Sequence, residues 1–291
     1  MLIQMRKASI NMNTIEYICQ LSWHSNIETY TYRDKHIILY DDHRCILNVI
    51  FEAMKLNVFD GQIPNIIYFD HHDDACYTDV RLANYHVDDI LKLKSRDFWP
   101  IVEFDLSALD DDWVTAGMEL GLINNVVCIG NEENHNIDGW SDNTYTTATG
   151  KGHKGYCISH LKRETNNRGI LGDSILKYPY YKDVRDVFGY VWGKNNLQPQ
   201  NPYILDFDLD CFTTDFRDKT FAWPEYFFKD EFWPDNNFDY RLFIEQLIEK
   251  ASIITICREP KCCGGIGESN KILSHLDRYL FGGALKTEPI H

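Results

Sequence analysis

Five short apolar runs, His36 to Tyr40, Asn65 to Phe69, Asn125 to Ile129, Tyr203 to Phe207 and Ser252 to Cys257, constrain the fold of this 291-residue chain more than any other feature. They are rich in Ile, Val and Tyr and apolar at successive positions, so both faces of each would be covered, which is the pattern of strands in a buried parallel sheet. Between them lie stretches with helical character, Arg44 to Leu56, Asp112 to Leu120, Asp239 to Ala251 and Lys271 to Phe281. In the third, Phe243, Ile244, Leu247, Ile248 and Ala251 form one stripe and Glu245, Gln246, Glu249 and Lys250 the other, the signature of a helix laid on a sheet. The alternation predicts an α/β fold of three layers, αβα, with a central and mostly parallel sheet. Ligands of such a sheet bind outside the carboxyl ends of its strands.

No linker-like stretch interrupts residues 1–291, so a single α/β domain is expected. Two regions break the alternation and read as loop insertions near the strand ends. Asn131 to Gly169 is polar and rich in Asn, Gly, Thr and His, and suggests a long loop or hairpin; Thr213 to Phe238 is dense in aromatic and acidic residues and directly follows a strand.

The chemistry sits where the strands end. After Ile66-Ile67-Tyr68-Phe69 come Asp70-His71-His72-Asp73-Asp74. In extended backbone, alternate side chains share a side, so Asp70, His72 and Asp74 converge. Tyr203-Ile204-Leu205 leads in the same way into Asp206-Phe207-Asp208-Leu209-Asp210. Several carboxylates on one face repel each other unless cations lie among them. Carboxylate and imidazole donors without thiolate suit a divalent ion such as Mn²⁺ better than a structural zinc. A third strand end, Tyr40-Asp41-Asp42-His43, immediately precedes a helix and brings another candidate ligand, His43.

Asp-His before a helix, then D-x-H-x-D, then D-x-D, then a Glu after a late strand resembles the arginase and agmatinase (ureohydrolase) superfamily in order and approximate spacing. Within it, the pattern is most similar to the arginase-like peptide arginases, which convert arginine side chains of ribosomally made peptides to ornithine. The resemblance implies an arginase-like fold and two Mn²⁺ ions, other divalent ions being alternatives. It implies that Asp70 and Asp208 bridge the two ions, that His43 and Asp74 complete one site, and that His72 and Asp210 complete the other. Asp206, further back along its strand, is expected to contact protein groups instead. Glu259, in Ile256-Cys257-Arg258-Glu259-Pro260, matches the acid that holds the guanidinium, and His86 stands at a suitable distance after Asp74 for a proton shuttle. The polar histidines His135, His153 and His160 compete for that role. The sequence departs from the family at Tyr40-Asp41, where Gly-Gly is usual, and at Cys211-Phe212-Thr213-Thr214, where Gly-Leu-Asp-Pro is usual. The His-Gly loop that follows the first cluster in enzymes of free arginine and agmatine has no counterpart here.

The expected reaction is metal-dependent hydrolysis of a guanidino group, an arginine side chain in a peptide giving ornithine and urea. A pair of close cations lowers the pKa of a shared water, and a carboxylate such as Glu259 grips a planar guanidinium with paired hydrogen bonds. Three rival readings remain: a free-arginine or agmatine ureohydrolase, a deacetylase-like C–N hydrolase with one zinc, and a non-catalytic metal-binding protein on the same fold.

A net charge of -15 opposes nucleic acid and favours a cationic peptide. No apolar run approaches a membrane span and no secretory signal follows the N-terminus, so a cytoplasmic protein without a membrane partner is expected; an oligomer is compatible with the sequence. Nine cysteines, mostly within apolar stretches, read as buried free thiols of a reducing compartment.

Overall fold

The computed structural model describes residues 27–76, 82, 85, 87–107, 111–130, 140–148, 150–158, 202–216, 219–225, 228 and 240–287. Its centre is an eight-stranded sheet. The strands are β1 (Glu28–Tyr32), β2 (Lys35–Tyr40), β3 (Asn65–Phe69), β4 (Val126–Ile129), β5 (Trp140–Thr146), β6 (Gly152–Ile158), β7 (Tyr203–Asp208) and β10 (Ile253–Cys257), in the order β1-β2-β10-β7-β3-β4-β6-β5. β8 (Thr213–Phe216) and β9 (Lys219–Ala222) form a separate hairpin. The helices are α1 (Cys45–Lys55), α2 (Val87–Ile90), α3 (Ser95–Phe104), α4 (Trp113–Glu119), α5 (Tyr240–Lys250) and α6 (Ile266–Leu280).

The strands from β2 to β6 in this order pair in parallel, and only the edge strands β1 and β5 run antiparallel. Every residue of β3, β4, β7 and β10 is buried, as expected where helices cover both faces. Alternation along the strands sorts their side chains into two cores. Ile38, Tyr40, Ile66, Tyr68 and Ile204 face α1, α3 and α4; Leu39, Ile67, Phe69, Leu205 and Phe207 face α5 and α6. The layers are therefore αβα, as the sequence predicts. Phe51 of α1 stacks on Phe98 of α3 at 4.1 Å, and Phe69 on Phe207 at 5.0 Å between neighbouring strands. Gly117 lets α4 approach α1, since a Cβ there would lie 2.9 Å from the Leu47 side chain and 2.3 Å from Ile123.

After β3 the chain fills the sheet outward through β4 to β6, then returns to β7 on the other side of β3 and proceeds to β10 beside β2. The direction of winding thus reverses between β3 and β7. At such a switch point the loops diverge above the strand ends and leave a crevice.

The described part of Asn131 to Gly169 takes the hairpin form, one of the two that the sequence suggests, and β5 and β6 continue the main sheet, with β6 paired to β4. The start of Thr213 to Phe238 is the β8–β9 hairpin, and its large aromatics Trp223 and Phe228 are buried against Phe212 rather than turned to solvent. Among the described residues no helix is long and apolar enough to cross a membrane. The described cysteines are free, but Cys76 and Cys262 are exposed, unlike the buried thiols expected.

Candidate metal centre

Four adjacent strands, β2, β10, β7 and β3, deliver the acids and histidines to one place at their carboxyl ends. After β2, Asp41 and Asp42 are drawn aside by arginines: Arg258 donates to Asp41, and Arg44 Nη2 donates to Asp42 Oδ2 at 2.7 Å. Arg258 also reaches Glu28 at 3.0 Å, so its charge is engaged by acids outside the cluster. His43, completely buried, is left to turn inward.

Its ring is held on both edges. Nε2 lies 2.9 Å from Asp206 Oδ2, while Asp206 Oδ1 accepts hydrogen bonds from Tyr40 Oη at 3.0 Å and Thr255 Oγ1 at 2.5 Å. Asp206 thus contacts protein groups. On the other edge, Nδ1 faces Asp74 Oδ2 at 2.9 Å, Asp208 Oδ2 at 2.9 Å and Asp70 Oδ2 at 3.5 Å. Neither His43 Nδ1 nor Asp70 Oδ2 forms a hydrogen bond there. A single imidazole N–H could satisfy only one acceptor, whereas a cation among these atoms would satisfy all four residues.

A second group adjoins the first and shares Asp70 with it. Potential ligand atoms of Asp70, His72 and Asp210 lie within 4.8 Å of one another, as do those of His43, Asp70, Asp74 and Asp208. His72 Nδ1 is 3.1 Å from Asp210 Oδ2, and its half-exposed ring opens the group to solvent. Asp208, expected to bridge, groups with the His43 set and not with His72. The backbone fixes the carboxylates: Asp70 Oδ1 accepts from His72 N at 2.7 Å, Asp208 Oδ1 from Asp210 N at 3.2 Å, and Asp210 Oδ1 from His71 N at 3.2 Å. Gly130 is required beside them, because at φ +116 a Cβ would lie 3.0 Å from Asp70 O and 2.6 Å from Cys211 Sγ.

The electrostatics report the crowding. Burial, then the charges of Asp74, Asp208 and Asp210, push Asp70 well above the carboxylate range. Burial, then Asp210 and Glu259, do the same to Asp208. Burial disfavours a charged His43, but Asp206 and Asp208 outweigh it and the pKa rises well above the ordinary imidazole value. Contact with Asp210 raises His72 to about 9. Without cations the cluster is satisfied only by taking up protons, so the donors fit divalent ions in number, type and burial.

Glu259 is half-buried just past β10, at φ 31, an uncommon conformation for a residue with a long side chain. Burial and the Asp210 charge push its pKa up to about 7. Asp74 likewise has a positive φ of 45.

Trp113 escaped sequence reasoning: its indole Nε1 donates to Asp74 Oδ2 at 2.5 Å, and its ring lies 4.7 Å from that of His43. Cys257 and Cys262, which group with Glu259, escaped it too. Only the acids' own alternation was visible, since a contact across 39 residues leaves no local pattern. Of the shuttle candidates, His86, His135 and His160 lie outside the described residues. His153 is 1% exposed near the start of β6, at the end of the parallel strands opposite the centre, with Nδ1 against Asn124 O, which removes it from the role.

No protein-family model matches the sequence, and no curated protein is significantly similar to it. Among solved structures the chain is similar to proclavaminate amidino hydrolase from Streptomyces clavuligerus, with 11% identity and a TM-score of 0.42 over 87% of this chain. The match spans 64% of that protein's length, just under two thirds.

Proposed function

We propose that the chain is a hydrolase that holds two divalent ions, Mn²⁺ foremost, and cleaves a guanidino group, its substrate an arginine residue within a peptide. The observation that carries the reading is the convergence of Asp70, Asp74 and Asp208 on His43 Nδ1, beside a second set, His72 and Asp210, joined through Asp70. One ion would be held by His43, Asp74, Asp70 and Asp208. The other would be held by His72, Asp210 and Asp70, with Asp208 closing on it as a bridge. Bound there, the pair supplies an acidified water as nucleophile and charge stabilisation for the reaction.

The chain's own residues do the rest. Asp206 fixes the His43 ring and Trp113 fixes the Asp74 carboxylate, so the donors are oriented before any ion arrives. Glu259, close enough to the set to group with His43, Asp208 and Cys257, can receive the planar guanidinium and orient its carbon. A cationic substrate lowers the pKa of that carboxyl and keeps it charged. The net charge of -15 favours a cationic peptide, and the sequence lacks the polar loop that grips a free amino acid. The buried Trp223 and Phe228 belong to the core, so peptide contacts are assigned to other parts of the surface. Two adjoining donor sets, rather than one, set this reading apart from a single-zinc amidohydrolase.

The test is mass spectrometry of an Arg-containing peptide blocked at both ends, free arginine and agmatine, each incubated with Mn²⁺-loaded protein. Ornithine residues and urea formed from the peptide are expected. Glu259→Gln should retain both ions and lose on the order of 2 to 5 kcal/mol of transition-state stabilisation. Turnover of free arginine above the peptide would reject the peptide substrate, and one ion or none per chain would reject the reading as a whole.

A further inference from the structure

Glu259 has a neighbour that the two-ion centre does not use, the Cys262 thiol, and the two meet at Asp210, which that centre shares. Potential ligand atoms of Asp210, Glu259 and the Cys262 thiol lie within 4.8 Å of one another. Cys262 is exposed, so this group can be reached from solvent. Asp210 is only 2% exposed, and its Oδ2 accepts no hydrogen bond; His72 Nδ1, at 3.1 Å, is off the line of one.

The thiol is held in place by its backbone. Cys262 N donates to Glu259 O at 3.0 Å, Cys263 N to the same oxygen at 3.1 Å and Gly265 N to Pro260 O at 2.7 Å, a tight turn whose Gly264 rests against Thr220 of the β8–β9 hairpin. Cys263 is buried beneath it. The three donors are therefore gathered by the 3-10 turn Leu209–Phe212 directly after β7 and by a braced turn, not by a loose loop.

We propose that Asp210, Glu259 and Cys262 form an adjoining cation site at the mouth of the candidate centre, sharing Asp210 with it and selective for Zn²⁺ or Cd²⁺ over Mn²⁺. Two carboxylates and a thiolate give three ligands with one position open, a set that suits tetrahedral Zn²⁺. The thiolate sets it apart from the six nitrogen and oxygen donors of the neighbouring centre, because soft sulfur prefers the softer ion. An ion bound here occupies Glu259 and keeps a guanidinium away from it. That inhibitory consequence rests on the proposed function; the binding of the ion does not.

The test is a Cd²⁺ titration of the full chain in the presence of Mn²⁺, followed by thiolate-to-metal charge-transfer absorption. The wild-type chain should develop the band, Cys76→Ser should keep it and Cys262→Ser should lose it. Cys262→Ser changes an exposed side chain, and near-ultraviolet circular dichroism verifies its fold. A band of wild-type amplitude in Cys262→Ser overturns the proposal, as does its absence from the wild-type chain. Elemental analysis for Mn²⁺ reads the neighbouring centre separately: a chain that retains no Mn²⁺ but shows the Cys262-dependent band refutes the proposed function and supports this site.

Discussion

His43 Nε2 and Asp206 Oδ2 lie 2.9 Å apart in a fully buried contact, and this pair decides what the opposite edge of the imidazole can do. Asp206 already accepts from Tyr40 and Thr255, so it acts as an acceptor toward His43 as well and draws the ring proton to Nε2. In the neutral ring that would bind a cation, Nδ1 is then left as a lone pair on the side of Asp70, Asp74 and Asp208. An acid behind a histidine in this manner fixes the tautomer needed for metal binding. Asp206→Asn is nearly isosteric and can donate to His43, stabilising the other tautomer. Mn²⁺ affinity should fall about 10- to 100-fold, measured by titration, with the fold retained. Unchanged affinity would show that Asp206 does not set the tautomer.

Trp113 supports the same centre from α4. Its indole N–H meets Asp74 Oδ2 at 2.5 Å, in a place where Asp74 has already adopted a φ of 45. Trp113→Phe keeps an aromatic ring beside His43 but removes that donor. The loss of a hydrogen bond to a buried carboxylate should destabilise the protein by about 1 to 3 kcal/mol. Denaturant unfolding of the metal-free protein measures it, and a change within about 0.5 kcal/mol, the range of neutral surface substitutions, would mean that the bond contributes nothing.

The sheet was legible in the sequence because β3, β7 and β10 are buried on both faces and so carry continuous apolar runs; the bounds expected for β3 are those observed. The edge strand β5 and its neighbour β6, Trp-Ser-Asp-Asn-Thr-Tyr-Thr and Gly-His-Lys-Gly-Tyr-Cys-Ile, carry many polar residues and resemble a loop, yet they pair residue for residue. The helix α3 was hidden by Pro100, which usually ends a helical pattern but here lies inside one. At the site, alternation in the sequence brought out Asp70, His72, Asp74, Asp208 and Asp210, but only Asp208 lies within a strand: Asp70, His72 and Asp74 follow β3, with Asp74 at φ 45, and Asp210 sits in the 3-10 turn after β7, so the extended backbone expected there is not what gathers them. The partners that orient them come from distant segments: Tyr40 and Asp206 are 166 residues apart. Such pairs arise from the order of strands in the sheet, which local sequence does not encode.

The turn that carries Glu259 depends on Gly264. At φ +85 an added Cβ would lie 2.2 Å from Thr220 O, a backbone atom that can retreat only if the β8–β9 hairpin moves. Gly61 provides the control, with φ +75 and nothing within 4 Å of its Cβ position. Gly61→Ala should therefore cost about 1 kcal/mol of left-handed strain, and Gly264→Ala clearly more, with lower activity on the guanidino substrate because Glu259 shifts. Equal costs from chemical denaturation would show that the hairpin does not brace the turn.

His153 links stability to pH at the far end of the sheet from the metal centre. It is 1% exposed, its Nδ1 lies against Asn124 O, and its Nε2 has no hydrogen bond. Burial lowers its pKa below the ordinary imidazole value, the Asn124 carbonyl opposes that, and nearby Lys151 adds to the lowering while Glu119 opposes it. A histidine with a lowered pKa in the folded state binds its proton more readily when unfolded. Its contribution to stability is therefore complete above the unfolded value of about 6.5 and is lost as the pH falls through the lower folded value. His153→Gln can still donate to Asn124 O but does not titrate. Unfolding free energies measured from pH 8 down to about pH 5 should thus decline less steeply in His153→Gln than in the wild-type chain, the two curves converging on the acid side. Parallel curves would mean that the His153 proton is bound as easily in the folded protein as in the unfolded chain.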